Sequence, residues 1–143
     1  MTLKELSQLY YLNREIAADQ KRLDELNRMV GAPSTPPLSD MPRAPHSVES
    51  KVERLAAEIV DLQAIIAARQ IQCIHERARL ERWISDIPDS LTRLIFTYRF
   101  ADCLSWAQVA TLVGGGNNAG NVSERCYSYL RKTKEDEENS ESP

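Results

Sequence analysis

Glycine and aromatic residues are scarce in this chain, with five glycines and nine Phe, Trp or Tyr among 143 residues. Long stretches are built instead from Leu, Ile, Ala, Glu, Arg and Gln, a composition that favours helix over sheet. No apolar run approaches the roughly 18 residues that a membrane span requires. The N-terminus, Met-Thr-Leu-Lys-Glu-Leu, lacks the apolar core of a secretory signal, so a cytoplasmic protein with no membrane partner is expected. Cysteine is sparse as well. Cys73, Cys103 and Cys126 lie far apart and form no CxxC pair, and the only histidines are His46 and His75. A zinc site needs clustered ligands, so no metal is expected, and the thiols read as small apolar residues. Neither histidine has a Ser, Cys or Asp partner at a recognisable spacing, and Asp24/Glu25 read as solvent-facing helix charges. The chain is therefore expected to be neither an enzyme nor the carrier of a cofactor.

The net charge of −3 conceals an asymmetry. Residues 88–134 hold six Lys/Arg against three acids, whereas 135–143 hold five acids and no base. Residues 1–87 are nearly neutral. A basic module beside an acidic tail is compatible with nucleic-acid binding.

The fold class expected is all-α, a long antiparallel helical hairpin followed by a small helical module. Leu9, Leu12, Ile16, Leu23, Leu26 and Val30 follow alternating spacings of three and four, with Asp19 in one seam position. The same register recurs at Val52, Leu55, Ile59, Leu62, Ile66, Cys73 and Leu80, interrupted by Arg69 and Glu76. A 3.5-residue repeat keeps one seam turned toward a partner helix, as in a coiled coil. Five of the seven prolines fall between the two runs, making 31–47 a Pro-rich loop and 1–87 the hairpin. Asp19 or Arg69 in a seam can fix its register. The second helix is apolar on more than one seam, with Ala64, Ile65, Ile71 and Ile74 spread around it, so either a homodimer of hairpins or packing against the C-terminal module is expected.

Residues 88–134 form the second part. Pro88 ends the long helix and suits the first turn of a new one, with Ser85 and Asp86 as upstream caps. Leu91, Leu94, Ile95, Tyr98 and Ala101 make an apolar stripe at helical spacing. Ser105 with Gln108 reads as a capping box, and Trp106, Val109, Ala110 and Val113 supply the buried face of the helix it opens. Ala110 and Gly114 have the spacing of the small residue at a helix crossing and the glycine at the following turn. The run Arg99-Phe-Ala-Asp-Cys-Leu-Ser-Trp-Ala-Gln-Val-Ala110, continued by Thr-Leu-Val-Gly114, resembles the helix-turn-helix of the C-terminal DNA-binding region of sigma-70 family factors. It is also similar to phage late-gene regulators of the ArpU and RinA type. Cys103 stands where such proteins often carry glycine, and the turn Gly114–Gly120 is longer than a compact one.

A third helix is expected to start near Asn118–Asn121 and end near Lys132. Val122, Cys126, Tyr129 and Leu130 share one side at 100° per residue. Asn121, Glu124, Tyr127, Ser128 and Arg131 share the opposite one, flanked by Ser123, Arg125 and Lys132. With Asn118 at its start, this set is the candidate DNA-binding surface. Arg, Asn and Glu complement guanine, adenine and cytosine edges in the major groove, and terminal cations suit phosphates. The resemblance implies a sequence-specific transcriptional regulator of phage or prophage origin in a bacterial host. It would bind double-stranded DNA and pair or dock through 1–87, with RNA polymerase one candidate partner. A small terminase subunit that binds DNA for packaging, and a protein-interaction module without DNA binding, are the alternatives. The polar, acidic tail 135–143 is expected to be disordered.

Overall fold

The structure, a computed structural model, describes residues 1–31 and 46–142. It is helical, with no strand among those residues. No helix described is long and apolar enough to cross a membrane. Most of the Pro-rich loop expected at 31–47 lies outside the described residues.

A short helix, α1 (Leu3–Leu6), opens the chain. Thr2 Oγ1 accepts the Glu5 N–H at 3.3 Å, and Glu5 accepts the Thr2 N–H at 2.7 Å. Helices α2 (Gln8–Gly31) and α3 (His46–Ser85) follow. Next come α4 (Ser90–Phe96), a π-helical turn (Thr97–Ala101), α5 (Trp106–Val113) and α6 (Ala119–Glu141).

These elements form two units. One contains Asn13–Gln72, and the other joins Met1–Leu12 to the residues from Cys73 onward. The division falls differently from a boundary near residue 87. Leu6 and Leu9 share a core with Leu80, Ile84, Ile95, Phe96, Val109 and Val122. The reason is one of size. A module of some 47 residues buries too little apolar surface to be stable alone, and the added helix ends enlarge its core.

In the Asn13–Gln72 unit, Leu26 and Ile66 are buried, while Ile16, Leu23, Leu55, Ile59 and Leu62 are half-buried. The two polar residues that interrupt the seams meet one another there. Arg69 bonds to Asp19 and also reaches Glu15 at 3.1 Å, and Arg22 reaches Glu58 at 3.9 Å. Partners that rise in number on α2 fall on α3, the order that antiparallel helices produce. Hydrogen bonding to Asp19, ahead of the opposing effect of burial, raises the Arg69 pKa.

In the other unit, Phe96 is fully buried between Trp83 and Tyr129, with ring centroids 5.5 Å from each, and lies 5.4 Å from Phe100. The expected stripe meets this core only in part, since Ile95 and Ala101 are buried but Leu94 is exposed. A π-helical turn follows α4, in which the Asp102 N–H donates to the Thr97 carbonyl five residues back at 2.9 Å. That wider turn shifts the register of the residues beyond it, and Phe100 is buried beside Phe96. Cap positions differ too. Asp89, rather than Ser85 or Asp86, caps α4, because its carboxylate accepts both the Thr92 N–H (3.0 Å) and the Thr92 hydroxyl (2.7 Å).

The acidic tail is a further correction. Residues 135–141 continue α6 as helix instead of lacking structure. Once the packed part of α6 has nucleated, each further residue adds a hydrogen bond at little entropic cost, and Glu and Lys are good helix formers. Lys134 and Glu138 pair across one turn at 3.8 Å. The acids at this end oppose the helix dipole, so the extension depends on the nucleus behind it.

Replacing Phe96 by alanine should cost about 3–5 kcal/mol, as for other buried aromatic truncations, measured by urea unfolding. In the other unit, Arg69→Leu should lower the thermal midpoint because it strands the half-buried Asp19, whereas Asp19→Leu should lower it less because Glu15 still pairs with Arg69. The double replacement should recover it, since an apolar pair can match an ion pair of similar volume.

Candidate nucleic-acid interface

Helices α5 and α6 pack against each other across the turn that joins them, and local chemistry fixes that turn at both ends. Ser105 and Gln108 form the reciprocal capping box expected of them, with bonds of 3.3 and 2.9 Å. Val109 and Ala110 are buried where α5 meets the core. Gly114 then closes α5, its N–H reaching the Ala110 carbonyl at 3.0 Å with φ at +68°, and Gly115 and Gly116 also have positive φ. An L residue with a side chain is strained there, which explains three consecutive glycines. The long turn is closed by Asn117, whose side-chain amide donates to the Gly114 carbonyl at 2.9 Å. Asn118 caps α6 by accepting the Asn121 N–H at 2.9 Å.

The connector before α5 is specialised as well. Cys103 has φ of +57°, the only described non-glycine residue in that region. The Arg99 guanidinium donates to the Leu104 carbonyl at 2.9 Å and lies 4.6 Å from the Trp106 ring centroid. Arg77, at the end of α3, donates to the Ala101 carbonyl at 3.0 Å and to Asp102 at 2.9 Å. These bonds hold the entry to α5 against the core.

On α6 the inward set is as the periodicity predicts. Val122 and Cys126 are buried, and Tyr129 and Leu130 are half-buried. Burial pushes the Cys126 thiol up to about 12.

The outward residues divide into two groups. Glu124, Arg125, Ser128 and Lys132 line a shallow groove that also includes Asp89, Thr92 and Tyr129. Tyr127 and Arg131 face a second groove, with Met1, Leu3, Leu130 and Lys134. Asn121 is exposed at the start of the helix, and Ser123 is half-buried, its hydroxyl donating to the Gly120 carbonyl.

The cations on this face are mostly engaged. Arg125 donates to Asp89 at 3.0 Å and to the Thr92 hydroxyl at 3.3 Å. Arg131 donates to Glu124 at 2.8 Å. Lys132 is exposed and forms no ion pair among the described residues. Exposed pairs of this kind are weak, so a phosphate can displace the carboxylate at little cost. Sequence reasoning missed Asp89 and Thr92 as neighbours of the face. Thr92 is the one buried polar residue described, at 4% exposure. The signal was present as Asp-x-x-Thr directly after Pro88, a cap followed by a hydroxyl three residues on.

No protein-family model, no curated protein and no solved structure matches the chain.

Asp89 concentrates the electrostatics of the face. The Thr92 hydroxyl, then the Thr92 N–H and then Arg125 hold its carboxyl at about 2 rather than 3.8. Because the folded pKa is depressed, the stabilisation is complete above the unfolded pKa near 4 and is lost as pH falls toward 2. Asp89→Asn keeps a capping oxygen but removes the charge. The variant should be less stable than the parent at pH 7, and the difference should vanish by about pH 2, as read by urea unfolding across that range.

Proposed function

We propose that this chain is a DNA-binding transcriptional regulator of phage or prophage origin, with α6 presented to the major groove. What supports the reading is the α5–turn–α6 unit. A small buried residue lies in α5, a positive-φ glycine closes it, and an Asn-capped helix then exposes Asn121, Glu124, Arg125, Tyr127, Arg131 and Lys132. An α-helix of that polarity fits the width of the major groove, and its side chains match base edges in hydrogen-bonding type. Arg125 has the part of base reader, because Asp89 and Thr92 already orient its guanidinium. Lys132, unpaired and exposed, has the part of phosphate contact. RNA polymerase is the protein partner that fits such a regulator.

A second reading is favoured by a separate observation. Helix α5 carries no charge, and its outer side exposes Ala107, Thr111 and Leu112, the last at 55%. Together with the paired arginines of α6, that surface suits docking of another protein.

The two readings separate in a titration of the intact protein against its own upstream DNA and a scrambled duplex at two salt concentrations. DNA binding predicts selective affinity that falls with salt. Lys132→Ala should weaken both duplexes alike and reduce the salt slope by about one. Arg125→Ala should cost about 1–3 kcal/mol on the selected duplex and little on the scrambled one. Absence of any salt-sensitive affinity would overturn the DNA reading in favour of protein docking.

A further inference from the structure

Helix α3 carries a second heptad stripe that no part of the described chain covers. In the Asn13–Gln72 unit the first stripe, Leu55, Ile59, Leu62 and Ile66, is withdrawn from solvent. Counting on by 100° per residue, Ala57, Val60, Ala64, Ala67 and Ile71 fall on nearly the opposite side. All five are exposed, Val60 at 62% and Ile71 at 56%. Scattered apolar residues on a surface need no explanation, but this spacing is three, four, three, four without interruption. The sequence prolongs it through Ile74 and Ala78. Charge is absent from the stripe. Arg69 and Glu58 are turned toward α2 by their bonds to Asp19, Glu15 and Arg22, and the exposed Asp61 flanks one edge of the stripe.

We infer that a second copy of this chain packs on this face, antiparallel, about a two-fold axis between Ala64 and Ala67. The stripe reads alike in both directions, β-branched, Ala, Ala, β-branched, which is what an isologous contact demands. In that register Val60 meets Ile71 of the other copy and Ala64 meets Ala67. The paired alanines let the two backbones approach closely at the centre, and the larger side chains fill the space toward the ends. Gln63 of one copy then lies beside Gln70 of the other, so uncharged amides flank the seam and can bond to one another.

The area sets the strength. Fifteen residues of helix, about 21 Å by about 10 Å, offer roughly 200 Å², well short of the about 800 Å² per partner of a tight complex. The dimer is therefore concentration-dependent and dissociates on dilution.

Sedimentation of the full chain from about 1 to about 200 µM tests this directly. The expected result is a monomer–dimer equilibrium in that range. Ala64→Glu and Ala67→Glu should each weaken it at least about tenfold while circular dichroism stays unchanged, since Glu is nearly as good a helix former as Ala on an exposed face. The contact's direction is read by disulfide capture, with Cys73 and Cys103 replaced by serine. Chains bearing Ala64→Cys should link to chains bearing Ala67→Cys faster than either links to itself. A monomer throughout, a dimer indifferent to both glutamates, or preferential like-with-like linkage would each overturn the proposal.

Discussion

The burial of Phe96 is the constraint on which most of the C-terminal architecture depends. Its ring is enclosed by Trp83 from α3, Tyr129 from α6 and Phe100 from the π-helical turn. Three separate elements are thereby referred to one side chain. The neighbouring layer of Ile84, Ile95, Val109 and Val122, closed by Leu6 and Leu9, completes the core. Dense packing of this kind has few alternative arrangements, so the placement of α6 follows from the aromatic cluster rather than from the turn that precedes it. The three glycines permit the chain to reverse, while the core decides where it arrives.

The π-helical turn adds a second constraint. Without it, Phe96 and Phe100 would be one ordinary helical turn apart, and the residues after Phe100 would continue on the α-helical register. The extra residue shifts the register beyond Phe100, and Cys103 follows in a left-handed backbone position from which α5 departs. Such a backbone costs free energy at a non-glycine residue and persists only when its surroundings hold it. Arg77 and Arg99 do so from either side, through the Ala101 and Leu104 carbonyls.

Much of this was legible in the amino-acid sequence. The all-helical class, the Ser105 capping box and the inward side of α6 are periodic or local signals that survive without tertiary information, as do the seam positions of α2 and α3 apart from Val30 and Val52, which are exposed. What periodicity could not supply was non-local. Thr92, Phe96 and Phe100 are buried between the positions of the stripe at 91–101, and the π-helical turn breaks the 3.6-residue count over its last turn. The recruitment of Leu6 and Leu9 to the C-terminal core depends on how little core that module has by itself. The tail was judged on composition, which measures the capacity to bury apolar surface and ignores propagation from a helix already formed. Arg125 and Arg131 lie on the outer side of α6 as its periodicity indicates, and Glu124 stands seven residues from Arg131 on the same side, but Asp89 belongs to the cap of α4 and no repeat brings it to Arg125.

Those partners change what the outer face of α6 can do on the DNA-binding reading. A bare cluster of arginines attracts any phosphate backbone, so affinity rises for all sequences together and selectivity gains nothing. Here Asp89 and Glu124 cancel much of that field while leaving the guanidinium groups at the surface. Arg125, held by a carboxylate and a hydroxyl, loses less side-chain freedom on meeting a base than an unrestrained arginine would. Free energy is thereby shifted from indiscriminate attraction toward directed hydrogen bonds. The acids beyond Lys134, carried on the same helix, act in the same sense by opposing phosphates near its end. A net acidic chain with a weak general affinity for DNA is then compatible with a selective one, provided that the few contacts it makes are directed at bases.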